Sequence, residues 1–131
     1  MRNTTLEIDG ASLMLEQLRR FECERPRVQL AGAARQRMQQ SAATVLATVE
    51  SGRVAYGINT GFGAFANRVI PAQKTSKLQL NLVRSHACGV GEPLAPALVR
   101  RMLLLKANNL AAGFSGVRPL VVDALLALLN S

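Results

Sequence analysis

The 131 residues predict a mainly α domain with a small two-stranded β element, and three observations lead there. The chain is 49% hydrophobic but only 4% aromatic, with no Trp, so its core rests on Leu, Val, Ala and Met, a palette that suits helix packing. Several segments repeat apolar residues at intervals of three and four. Two short stretches instead alternate with a period of two. The length fits one domain, residues 1–131.

The first alternating stretch is TTLEIDG, with Leu6 and Ile8 on one side and a turn at Asp9 and Gly10. RVQLA, with Val28 and Leu30, has the same period and is expected to pair with it. Between them Ser12 is positioned to cap a helix carrying Leu15, Leu18 and Phe21 on one face. A longer helix is expected from Ala33 to Glu50, with Met38, Ala42, Val45 and Val49 along one stripe and Ser51-Gly52 as terminator.

A loop follows, residues 56–73, broken by Gly57, Gly61, Gly63 and Pro71. It is longer than most helix connections, which suggests a task. Its apolar members Phe62, Phe65, Val69 and Ile70 call for a packing partner. A third helix fits Thr75 to His86, placing Leu78, Leu82 and His86 on one face. Gly89 and Gly91 end it. A fourth covers residues 97–112 and closes at Gly113; Ser115 is the expected cap of a fifth, with Pro119 in its first turn. From Leu120 to Leu129 only Asp123 is polar. A helix apolar all round belongs in a core larger than this length supplies, so the chain reads as a fragment or one part of an assembly.

Net charge is +8, from 16 Lys and Arg against 8 Asp and Glu. The basic residues are dispersed, and no finger, RNP or GXXG signature accompanies them, so no nucleic-acid partner is expected. Anionic small molecules or acidic surfaces fit the charge equally well. Cys23, Cys88 and the single histidine, His86, make no spaced ligand set, and no metal is expected. No run of 18 apolar residues and no leader pattern occurs. The expected setting is reducing and cytoplasmic, away from membranes.

Two residues stand out chemically. Tyr56, in YGINTGFG, is the chain's one tyrosine; a phenol serves as a base only where its surroundings favour the phenolate. Glycines beside it permit close approach and motion. A packed tyrosine in a tight turn is the competing reading. His86, in RSHACGVG, either caps a helix C-terminus or faces a ligand. Asn59, Asn81, Asn108 and Asn109 each have the simpler option of satisfying backbone groups, and Arg118 that of a surface ion pair.

YGINTGFGAFANRVI, LQLNLVRSHACGVGEPL and LKANNLAAGFSGVRPLVVDALLALLN, in this order and spacing, resemble the N-terminal part of the aromatic amino acid lyase family, with the histidine ammonia-lyases as the nearest branch. LEIDGASLMLEQL and RVQLAGAARQRM resemble the family's opening less specifically. The likeness covers the whole chain but only about the first quarter of a member. It implies a helical N-terminal domain of the fumarase/aspartase-like lyase superfamily. It also implies elimination of ammonia from a small amino acid, L-histidine giving urocanate, in a homotetramer.

The same resemblance implies roles for single residues. Tyr56 matches the base on a mobile inner loop, with Gly57, Gly61 and Gly63 as the loop's hinges. His86 matches a pocket residue near the substrate's side chain, and Asn59 and Leu82 are further substrate-binding candidates. The Ser85-His86 pair resembles the histidine enzymes and also some tyrosine aminomutases, whereas tyrosine- and phenylalanine-preferring lyases often carry His-Leu and Phe-Leu there. Ala112 departs from the family's frequent Arg or Lys, and Lys74 to Lys77 lack the usual acidic residues. The family's prosthetic group, 4-methylidene-imidazol-5-one, arises from an Ala-Ser-Gly triplet that these 131 residues lack, so this chain brings no cofactor and is expected to be inactive alone. The alternatives are a tyrosine or phenylalanine ammonia-lyase or aminomutase fragment, and a non-catalytic helical interaction domain.

Overall fold

A computed structural model describes residues 4–131. Two strands and five helices follow in the order β1 (Thr5–Ile8), α1 (Leu15–Glu24), β2 (Arg27–Leu30), α2 (Gly32–Glu50), α3 (Ala72–His86), α4 (Pro96–Ala111) and α5 (Pro119–Asn130), with a short 3₁₀ turn at Gly63–Phe65. The chain forms two compact units. One comprises the residues up to Ala43 with Leu94–Ser131, the other Thr44–Pro93.

In the first unit β1 and β2 pair in parallel, Leu6 against Val28 and Ile8 against Leu30. Parallel strands need a crossover, and α1 supplies it. The alternation works as the sequence predicts: Leu6, Ile8 and Val28 are buried, while Glu7 and Gln29 face outward, where the Gln29 amide donates to the Glu7 carboxylate at 3.2 Å. Below the sheet lie Phe21 of α1, Met38 of α2, Leu104, Ala107 and Leu110 of α4, and Val122, Leu126 and Leu129 of α5. The α4 and α5 residues recur at three- and four-residue steps, so each helix turns one stripe inward. Fully burying a side chain such as Phe21 or Leu104 contributes about 1.5–3 kcal/mol.

Polar contacts tie the sheet to the helices, and one helix to another. The Gly10 N–H donates to Asn108 Oδ1 at 3.0 Å, and Arg37 donates to the Asp9 carbonyl at 2.7 Å. Gly10 adopts φ +86°, and a Cβ there would sit 2.2 Å from the Ala112 nitrogen, so the turn lies directly against the end of α4. Asn130 bonds the backbone of Val28 at both ends of its amide. Arg35 of α2 and Asp123 of α5 form a bidentate pair at 2.6 and 3.0 Å.

Some helix starts differ from the sequence reading. Ser12 does not cap α1: the Asp9 carboxylate accepts from the N–H groups of Ala11 and Ser12 at 2.8 and 2.7 Å, closing the turn first. The helix begins at Leu15, and Gln17 reaches back to the Met14 N–H at 2.7 Å. Helix α3 starts at Ala72, a turn before Thr75, because Pro71 sets the entry and accepts from the Lys74 N–H. At α5 the cap position is Arg118, with Pro119 as the first helical residue; Ser115 lies too far back. Helix α5 agrees with the sequence reading: Leu120 and Leu128 are each about two-thirds exposed, as expected of an all-apolar helix in a domain this small.

Candidate functional site

The candidate residues all fall in the second unit, where a long loop precedes α3. Its geometry begins at Ala55, whose carbonyl accepts from Ile58 and Asn59 at 3.1 and 3.2 Å. That turn places Tyr56 at its outer corner, 67% exposed. Gly57 follows with φ +75°, a left-handed conformation that costs an L-residue about 1–2 kcal/mol, and its N–H donates to Thr60 Oγ1.

Asn59 is buried and bonds nearby backbone with both ends of its amide. Its Oδ1 accepts from the Ala55 N–H at 2.8 Å, and its Nδ2 donates to the Arg53 carbonyl at 2.8 Å. The Asn59 carbonyl accepts from Ile70, and the Gly61 N–H donates to Arg68, flanking an antiparallel bridge between Thr60 and Val69. The segment between is therefore closed at its neck, with the 3₁₀ turn at its tip. Phe65, Ala66 and Arg68 donate in turn to Phe62, Gly63 and Phe65.

The glycines play unlike parts. Gly63 has φ +54° and open space around it, whereas a Cβ on Gly61 would come within 2.7 Å of both the Phe65 Cβ and carbonyl oxygen. Gly61 is needed for close approach rather than for its dihedral angles. Of the apolar residues expected to find a packing partner, Phe65 is 61% exposed and Val69 54%. Phe62 meets the Tyr56 ring edge-on, with centroids 6.1 Å apart, and the Arg68 guanidinium lies over Phe65.

On α3, Leu78 and Leu82 are half-buried, one turn apart, and His86 is the helix's last residue, exposed. The His86 Nδ1 lies 2.9 Å from the Leu82 carbonyl and 3.0 Å from Ser85 Oγ, and Ser85 Oγ lies 3.0 Å from the same carbonyl. The structure thus gathers the predicted residues into two sets: Tyr56, Asn59 and the glycines in the loop, Leu82 and His86 on α3. Sequence reasoning passed over Thr60, which is fully buried and joins Gly57 to Gly61; a β-branched hydroxyl beside glycine was the available signal.

A cavity of about 410 Å³ in the other unit is lined by Arg25, Arg27, Arg100, Leu129 and Asn130 and by none of these candidates. Cys23 and Cys88 are both free and exposed. Among the described residues no helix is long and apolar enough to cross a membrane.

A model of the aromatic amino acid lyase family matches residues 13–131. The chain is 47% identical over 124 residues to a histidine ammonia-lyase of Geobacillus thermodenitrificans, covering 95% of this chain and 25% of that one. It is 50% identical over 126 residues to a histidine ammonia-lyase of Anaeromyxobacter dehalogenans, covering 96% and 25%. Among solved structures, histidine ammonia-lyase from Trypanosoma cruzi superposes with a TM-score of 0.84 at 36% identity, over 97% of this chain and 24% of that chain. Tyrosine aminomutase from Streptomyces globisporus gives 0.87 at 32%, over 98% and 24%. The chain spans about a quarter of the length of the curated relatives it matches.

Proposed function

This chain belongs to the aromatic amino acid lyase family, and from that premise we propose that it is the N-terminal part of a histidine ammonia-lyase, supplying the loop that carries the catalytic base. The reaction converts L-histidine to urocanate and ammonia. Tyr56, as phenolate, takes a proton from the substrate's β-carbon; the freed pair forms the new C=C bond as the Cα–N bond breaks and ammonia departs. In the complete enzyme the family's 4-methylidene-imidazol-5-one would supply the electrophile that loosens the amino group. The chain has no Ala-Ser-Gly triplet, so none of these residues forms that group, and the 131 residues alone are inactive.

The observation that carries the reading is the exposed phenol of Tyr56 on a loop whose buried polar side chains, Asn59 and Thr60, are bonded to nearby backbone groups. Gly57, Gly61 and Gly63 shape that loop, and Asn59 holds it to Arg53 and Ala55. His86 and Leu82 border the substrate's side chain. The exposed apolar residues of α5, Leu120, Val121 and Leu128, suit burial in a homo-oligomer in which several subunits complete each site. A cytoplasmic enzyme acting on a free amino acid fits this reading.

Mixing the chain with the remainder of a family member that carries the triplet, and following urocanate absorbance, tests it. Tyr56→Phe is expected to lower turnover by about 100-fold or more; unchanged turnover overturns the assignment of the base. A second reading, a tyrosine-directed lyase or aminomutase, draws on the likeness to the Streptomyces globisporus protein. Turnover of tyrosine but not histidine by the same mixture selects it.

A further inference from the structure

We infer that Ser85 is a positioning residue: with the Leu82 carbonyl it holds neutral His86 as the Nδ1–H tautomer, so that Nε2 is presented to the substrate as a hydrogen-bond acceptor. This rests on the reading that His86 faces the substrate's side chain.

The argument is one of donors and acceptors. The Leu82 carbonyl, 2.9 Å from Nδ1, can only accept. A lone pair on Nδ1 would face it in repulsion, so Nδ1 carries the hydrogen. Ser85 has one hydroxyl hydrogen, and its Oγ donates to the Leu82 carbonyl at 3.0 Å. That leaves the Ser85 oxygen to accept, and Nδ1 is 3.0 Å away. The three groups close a small ring in which both acceptors call for the proton on the same nitrogen. In a neutral imidazole the other nitrogen then has only a lone pair. His86 is exposed at the end of α3, so that lone pair is open to a ligand.

The consequence is a preference among substrates. An acceptor at Nε2 is satisfied by a ring that carries its own donor, an imidazole N–H or a phenol O–H. A plain phenyl ring leaves the acceptor desolvated and unpaired, which is the kind of loss that gives polar sites their selectivity. Ser85 exerts this preference through His86 without touching the substrate.

His86 is the chain's one histidine, so the tautomer can be read without assignment ambiguity. Long-range ¹H–¹⁵N correlation spectra of the uniformly labelled 131-residue chain, with the ring neutral, are expected to show Nδ1 at the upfield position of a protonated imidazole nitrogen. Nε2 is expected far downfield, as an unprotonated one. In Ser85→Ala the two resonances should move toward each other as the tautomers mix, and Ser85→Thr, which keeps the hydroxyl, should restore the separation. An Nε2–H pattern in the parent chain overturns the inference. So does a Ser85→Ala spectrum identical to the parent's, which would leave Leu82 alone responsible. The spectra need no turnover: absence of urocanate in the reconstituted mixture would sink the proposed function and leave the tautomer standing, and the reverse holds equally.

Discussion

Asn130 grips Val28 with both ends of its side-chain amide. The Val28 N–H donates to Asn130 Oδ1 at 2.9 Å, and Asn130 Nδ2 donates to the Val28 carbonyl at 2.9 Å. The amide thus stands where a third strand would pair with β2, on a residue that is 2% exposed. Asn130→Ala leaves one buried donor and one buried acceptor unmet and is expected to cost about 1–3 kcal/mol, read as a lower urea midpoint. Asn130→Asp should not rescue it, because a carboxylate cannot donate to the Val28 carbonyl.

Gly10→Ala is expected to be among the most damaging small changes in the chain. Its Cβ would overlap the Ala112 backbone at 2.2 Å, in a φ of +86°, so backbone strain adds to overpacking for a loss of roughly 3 kcal/mol or more. Gly52→Ala is the matched control. Its φ is +68° but nothing lies within 4 Å of the added carbon, and about 1 kcal/mol is expected. Comparing the two urea midpoints separates steric contact from dihedral cost.

The Arg35–Asp123 pair makes stability depend on pH in a defined direction. Hydrogen bonds from Arg35 hold the Asp123 carboxyl below its ordinary value, against a smaller opposing effect of burial. A carboxyl depressed in the fold contributes stability that is fully present above its unfolded pKa of about 3.9 and is lost as pH falls through the lower folded one. The matching rise at Arg35 acts only at strongly alkaline pH. Both side chains are about 40% exposed, so solvent screening limits the pair to about 0.5–1 kcal/mol. Asp123→Asn should flatten the acid limb of a midpoint-against-pH curve below about pH 4. Some slope should persist from Asp9, whose carboxyl the N–H groups of Ser12 and Ala11 also hold low.

Tyr56 is an optical probe already in place, since the chain has one Tyr and no Trp. At 67% exposure its fluorescence should be readily quenched by acrylamide. Gly61→Ala, which drives a Cβ into Phe65 at 2.7 Å, should disturb the loop's closed neck at a cost of about 1–3 kcal/mol and change the quenching constant. An unaltered constant and midpoint would show that the loop accommodates the side chain.

Much of this fold was legible because its signals are local. Leu6, Ile8, Val28 and Leu30 announce two half-buried strands, and Met38, Ala42, Val45 and Val49 do mark the buried or half-buried stripe of α2. The caps were not legible in the same way. Asp9 and Gln17 compete with Ser12 for nearby backbone N–H groups, and only geometry decides among three plausible acceptors. The candidate site divides likewise. Tyr56 and His86 were visible as lone chemical groups whose meaning came from the block resemblance. For Asn59 the sequence offered backbone bonding as one option, but not its partners, the Arg53 carbonyl and the Ala55 N–H, because every residue carries such backbone groups. The exposed apolar residues of α5 match the expectation that a domain this size cannot bury the helix all round, but residue type says how much surface wants burial, not which neighbour buries it.

The bonds from Gly10 to Asn108 and from Val28 to Asn130 join residues 98 and 102 positions apart, and all of Thr44–Pro93 lies between the two sequence halves of the unit they close. That arrangement carries a penalty in time. Long-range contacts are slow to form, and a ribosome delivers the chain from one end. The strand pair is synthesised early, but the residues of α4 and α5 that bury and bond it emerge about a hundred positions later. Until residue 130 leaves the exit tunnel, Leu6, Ile8 and Val28 wait without the cover of α4 and α5, so the newly made segment exposes apolar surface in that interval.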